Sequence, residues 1–130
     1  MTTTRESEIR SVIERYAAAW RDGDLPTVLD CYHDDLVLHW FGANALSGDH
    51  AGKGAAVAAL GEFTRRTRRQ RPTIVATMAG AERGAIVARE TLGDTQVERV
   101  LVFTVRDGKL AECWVYDQDP AVVDRLVGPA

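Results

Sequence analysis

The 130-residue sequence has two cysteines, four prolines and three histidines, and its charges nearly balance at a formal net charge of −3. Each shortage excludes something. Cys31 and Cys113 stand outside any CxxC spacing and apart from the histidines, so both read as reduced, buried thiols rather than a disulfide framework or zinc site. His33, His39 and His50 lack the paired spacing of metal ligands, and no metal or cofactor is expected. Without a basic excess the chain cannot project the field that displaces counterions from nucleic acid, so no nucleic-acid partner is expected. No apolar run is long enough to span a bilayer, which excludes membrane insertion through a helix. The opening stretch Met1–Glu8 lacks the apolar core of a signal peptide, so a cytoplasmic location is expected.

What is present fits a single domain over residues 1–130. Hydrophobic residues make up 45% and charged residues 27%, which argues against disorder and fibrous repeats alike. Chains of this length bury enough surface to fold without staples.

Periodicity sets the order of elements. Ile9, Val12, Ile13, Tyr16 and Trp20 recur at steps of three and four, predicting an amphipathic helix over Glu6–Arg21. Asp22-Gly23-Asp24 ends it, and Asp24 with Pro26 predicts a short second helix carrying Val28, Leu29 and Tyr32. Leu36–Phe41 reads as a strand. The glycine-rich stretch 42–54 reads as a loop, or as a strand followed by turns. Ala55–Arg68 returns to helical spacing, with Pro72 at its exit. Four strands follow over 73–78, 85–92, 96–105 and 110–116, and Asp107-Gly108 marks a hairpin. Asp119-Pro120 starts a terminal helical turn. Helices first and a strand meander last indicate an α+β fold. A curved antiparallel sheet covered by N-terminal helices would form a cone with an apolar pocket at its mouth.

Several short motifs then align with one family. Arg15–Asp24 (RYAAAWRDGD), the Cys31–Asp35 turn (CYHDD), Leu38–Gly42 (LHWFG) with the loop Asn44–Gly48 and Gly52-Lys53-Gly54, and Asp107–Trp114 (DGKLAECW) together resemble the nuclear transport factor 2-like superfamily, in its SnoaL-like branch. The resemblance implies the cystatin-like cone, and a homodimer. That superfamily includes ketosteroid isomerases, polyketide cyclases, epoxide hydrolases and non-catalytic domains, so the fold alone does not choose a function.

The chemistry is tested residue by residue. By resemblance, the isomerase's tyrosine falls on Tyr16, its base on Trp40 and its protonated acid near Val100 or Leu101. Two of these three positions are apolar, which argues against ketosteroid isomerase chemistry. An epoxide hydrolase relay would use Arg99, with its second carboxylate aligning on Val115 and Asp117 lying one strand period further on the same face. A SnoaL-like cyclase asks for less. Asp117 would be the acid/base, His39 would assist and Tyr16 would donate to an oxyanion. Trp40, Asn44, Cys113, Val115 and Arg99 would contact the substrate.

The expectation is therefore a cofactor-free enzyme of secondary metabolism. It would cyclise or isomerise a hydrophobic, polyketide- or steroid-like molecule. A non-catalytic small-molecule binding domain and an epoxide hydrolase are the alternatives. Each residue also has a structural reading. Tyr16 can serve as core, His39 as a satisfied structural histidine, and Asp117 as a helix cap, although Asp119 is better placed to cap. Strand parity puts Cys113, Val115 and Asp117 on one face and Trp114 and Tyr116 on the other, where they would suit a dimer interface. The same parity prevents His39 and Trp40 from both facing inward without a bulge. The basic run Arg65–Arg71 reads as a solvated helix end or as a site for an anionic partner.

Overall fold

The alternation of apolar and polar residues sorts six strands into one sheet in the computed structural model, which describes residues 4–130. Met1 to Thr3, which open the stretch read for a missing signal core, lie outside the described residues.

α1 (Thr4–Asp22) buries Ile9, Ile13, Tyr16 and Ala17 along one stripe, as the three-and-four spacing requires. Gly23 ends it at φ +71, the left-handed conformation that glycine adopts without strain. α2 (Leu25–Asp30) starts as its sequence predicts, with the Asp24 carboxylate accepting the Thr27 N–H at 3.3 Å. β1 (Tyr32–Trp40) leads to a short β2 (Gly48–Ala51) inside the glycine-rich stretch, and α3 (Lys53–Thr67) follows. The meander is β3 (Thr73–Ala79), β4 (Gly84–Leu92), β5 (Thr95–Arg106) and β6 (Lys109–Asp117). Asp107 and Gly108 both take positive φ in the β5–β6 hairpin, the geometry that matches the twist of its strands. α4 (Pro120–Val127) is capped by Asp119, which accepts the Val122 N–H at 3.3 Å.

The strand order is β2-β1-β6-β5-β4-β3. Every neighbouring pair is antiparallel except β1–β6, which is parallel, so the sheet is mixed rather than wholly antiparallel. The long excursion through α3 and the meander returns the chain beside β1 running in the same direction, which a short hairpin could not do. Register shifts at Ile74/Ala76, Thr104/Val105 and Tyr32/Val37 bend the strands, and the sheet curves without closing.

On β5 the inward positions are Val97, Arg99, Leu101, Phe103 and Val105, all buried. β4 contributes Ile86, Ala88, Glu90 and Leu92 to the same layer. α1 lies against β3 and β4, α3 against β1, and α4 against α3. No helix among the described residues is long and apolar enough to cross a membrane.

One close approach fixes the seat of α1. A Cβ at Gly84 would lie 2.6 Å from Ile13 Cγ1 and 2.9 Å from Ile9 Cγ2, so only glycine fits there. Gly84→Ala is expected to overpack this contact and lower stability by about 1–3 kcal/mol in urea unfolding. An unchanged midpoint would show that α1 does not seat this tightly on β4.

Candidate functional site

The end of α1, carrying Tyr16 and Trp20, and the side of α3 that carries Val57, Leu60 and Thr64 stand on either side of α2. Between them lies a cavity of about 460 Å³. Trp20, Leu25, Val28, Leu29, Val57, Leu60 and Leu101 supply its apolar wall. Its polar lining is short: Tyr16, Tyr32, Thr64, Arg69, Gln70 and Arg71. Among the described residues, no carboxylate and no imidazole lines it.

Tyr16 and Tyr32 meet at the inner wall with their hydroxyls 2.6 Å apart, both rings almost wholly buried. Phe103 packs edge-on against Tyr16 at 5.5 Å between centroids. Burial, and then the neighbouring Tyr32, raise the Tyr16 pKa well above the ordinary tyrosine value, and burial raises that of Tyr32. Both phenols are therefore neutral at physiological pH. In a hydrogen-bonded pair one hydroxyl donates to the other, which leaves one O–H to offer elsewhere.

Behind this wall runs a line of four alternating charges. Arg69 Nη1 lies 3.3 Å from Glu90 Oε1, Glu90 Oε2 accepts from Arg99 Nη1 at 3.1 Å, and Arg99 Nε donates to Asp117 Oδ1 at 2.5 Å. Glu90 is fully buried, and the side chain of Arg99 is 2% exposed. Burial works against the Arg99 charge, but Glu90 and Asp117 outweigh it and hold the guanidinium protonated. Its flat face lies 4.3 Å from the Phe63 centroid and 5.3 Å from that of Trp40. Arg99 Nη2 and Trp40 Nε1 are buried donors without a hydrogen-bond acceptor among the described residues.

Asp117 opens instead onto a second recess of about 320 Å³, with Phe41, Val115, Tyr116, Pro120 and Asp124 around it. Its carboxylate is 9% exposed and tied to Arg99. It neither caps α4, a role Asp119 fills, nor reaches the larger cavity.

The remaining expected residues are dispersed. His39 does not face the interior. Parity on β1 sends Trp40 inward and His39 to the outer face, where it stacks on Trp114 at 5.2 Å. There it bonds Asp49 at 2.7 Å and Glu112 at 2.5 Å. Partial burial pulls its pKa down, but those two carboxylates outweigh it and the net shift is upward. Asn44 shapes its loop, with its amide on Asp124 at 2.7 Å and its carbonyl accepting the Leu46 N–H at 2.8 Å. Trp40 and Cys113 are core, and burial raises the Cys113 thiol pKa, which favours the protonated thiol. Of the residues proposed from sequence, only Tyr16 lines the cavity, while Val115 and Asp117 share the second recess.

Three residues that the sequence reading did not offer for the site matter here: Tyr32, which it placed on the second helix and which instead opens β1, Arg69, which it left within the basic run, and Glu90. Glu90 sits on the buried face of β4 among Ile86, Ala88 and Leu92, where a lone carboxylate demands a partner. That placement is the available signal. The basic run also separates. Arg65 and Arg66 pair with Glu62 on the exposed side of α3 and hold its pKa down at about 2. Arg68 caps the helix in the left-handed conformation at φ 53, and that turn carries Arg69 inward.

The SnoaL-like domain family matches the chain over residues 13–113. No curated protein matches the sequence significantly. Among solved structures, Bal32a from a soil-derived mobile gene cassette superposes with a TM-score of 0.83 at 19% identity, covering 96% of this chain and 100% of its own. An NTF2-like protein from Burkholderia xenovorans LB400 gives 0.71 at 21% identity, covering 97% and 100%. TerC co-crystallised with polyporic acid gives 0.75 at 17% identity, covering 92% and 98%. At these identities the superpositions establish the fold.

Removing Arg99 from between its carboxylates is expected to be costly, because two buried negative charges would lose their shared partner. Arg99→Met should lower stability by about 3–5 kcal/mol in chemical denaturation. A loss below about 1 kcal/mol, the range of exposed pairs, would contradict this arrangement.

Proposed function

The chain belongs to the SnoaL-like domain family, and from that premise we propose that it binds an apolar, oxygen-bearing small molecule in the cavity between α1, α2 and α3. The observation that carries this reading is a greasy hollow ending on a neutral pair of tyrosine hydroxyls, Tyr16 and Tyr32. A volume of about 460 Å³ lies within the usual range for small-molecule sites. The pair would donate one hydrogen bond to a carbonyl, enol or phenol oxygen and so fix the ligand's orientation, while the apolar wall supplies affinity. The co-crystallisation of TerC with polyporic acid supports a small-molecule role for this fold.

The reading favours a binding module over an acid–base cyclase or isomerase. Proton transfer between carbons needs a group of suitable pKa within reach of the ligand. Among the described residues, the titratable groups of the lining are phenols held protonated and guanidinium groups. The binding reading calls for no cofactor.

The buried Glu90–Arg99–Asp117 set favours a second reading. A carboxylate–guanidinium–carboxylate group with a spare, buried Arg99 donor, whose Asp117 end lines a recess, has the parts of a water-activating relay. In this reading Asp117, one strand period beyond Val115 on β6, fills the place that the sequence reading sought at Val115, Glu90 on β4 supplies the other carboxylate, and the site would open epoxides. The homodimer expected from sequence would use the outer sheet face, where Phe41 and Tyr116 are about half exposed and their rings lie 5.2 Å apart. Sedimentation tests that pairing, since Tyr116→Glu should give a monomer and an unchanged sedimentation coefficient would exclude this face.

Titration with Nile red, a neutral apolar dye, separates the two sites. Leu60→Trp fills the larger cavity and should weaken dye binding by about tenfold or more, whereas Asp117→Asn should leave it within about twofold. Dye binding that survives Leu60→Trp and is lost in Asp117→Asn would overturn the proposed site in favour of the second recess.

A further inference from the structure

We infer that the ligand of the larger cavity is an apolar anion, a molecule carrying a carboxylate or comparably acidic oxygen on a flat apolar body. The inference rests on the cavity being a ligand site, as proposed above, and adds the charge of what enters it.

The ion line has a polarity. Its four members alternate Arg69, Glu90, Arg99, Asp117 and sum to zero, but they are not distributed evenly between the two hollows. Arg69 lines the larger cavity. Glu90 and Arg99 line neither hollow, and Asp117 lines the other recess. The line therefore presents its positive end to the cavity and its negative end to the recess. Glu90 cannot cancel Arg69 completely, because its carboxylate is shared with Arg99. Arg71 adds a second cation at the exposed rim, donating to the Asp22 carbonyl at 3.1 Å.

Arg69 is placed to meet a ligand. Its side chain is 16% exposed, and its guanidinium carbon lies 5.7 Å from the Trp20 centroid and 5.5 Å from that of Phe63. Its Nη1 faces Glu90 Oε1 at 3.3 Å as an ion pair, with no hydrogen bond between them among the described residues. A guanidinium held by one edge against a buried carboxylate and flanked by aromatic rings retains other N–H groups for a second carboxylate. In a largely apolar cavity such a charge-assisted hydrogen bond is screened weakly and counts for more than at the surface. The Trp20 ring beside Arg69 gives a flat ligand body a surface to stack on. The Tyr16–Tyr32 pair supplies a further donor and, among the described residues, no acidic side chain opposes an anion in the lining.

The test uses two probes of the same shape, 2-naphthoate and neutral 2-naphthamide, followed by quenching of Trp20 fluorescence and by calorimetry. The anion is expected to bind about tenfold more tightly than the amide in wild-type protein. Arg69→Gln should bring the ratio close to one, and Arg69→Lys, which retains a charge beside Glu90, should keep most of it. Arg71→Gln, on an exposed side chain, should reduce the ratio without altering the fold seen by circular dichroism. Equal or weaker binding of 2-naphthoate in the wild type would overturn the inference and leave the binding reading intact. Failure of both probes to bind would overturn the inference together with that reading. An unchanged preference in a folded Arg69→Gln protein would overturn the role given to Arg69.

Discussion

A guanidinium taken out of water between two carboxylates organises the interior of this molecule. Arg99 is the largest of the fully buried side chains, and its charge is compatible with that position only because Glu90 on β4 and Asp117 on β6 flank it from the neighbouring strands. Three central strands are thereby tied in one register, since slipping any of them by one residue would turn its charge to the opposite face. Phe63 and Trp40 close over the guanidinium, so α3 and β1 also take their places from it.

The same line divides the molecule's chemistry. Asp117 has the right chemical type for an acid or base, and it does point away from bulk solvent. Its carboxylate is engaged by Arg99, however, and it faces a smaller recess beside α4. The larger hollow receives phenols and guanidinium groups instead. Two hollows on one scaffold, with donors in one and carboxylates in the other, allow related folds to carry different chemistries on nearly the same framework.

Much of this fold was legible in local sequence. The Ile9–Trp20 stripe, the Asp24 and Asp119 caps, the Asp107-Gly108 hairpin and the valine-rich β5 all report short-range physics, and the structure reproduces them. Parity on β6 likewise foretold Trp114 and Tyr116 facing outward. The parallel β1–β6 pairing was not legible, because it depends on a long return of the chain and not on any local pattern. The candidate site was less legible than the fold. Tyr16 could be found from its helix face, but Tyr32 becomes its partner because it opens β1 instead of closing α2, which brings the two rings to 5.5 Å. Arg69 was hidden inside a basic run that resembles a solvated helix end. The left-handed turn at Arg68 separates it from its neighbours, and Glu90 draws it inward.

The central claim is that ligand enters the hollow between α1, α2 and α3 and not the recess beside α4. Methyl-resolved NMR during titration with 2-naphthoate reads this directly, because leucine and valine methyls line both places. The account predicts shifts centred on Val28, Leu29, Val57, Leu60 and Leu101, with Val115 unmoved. Perturbations centred on Val115, with the Leu60 and Leu29 methyls silent, would contradict it.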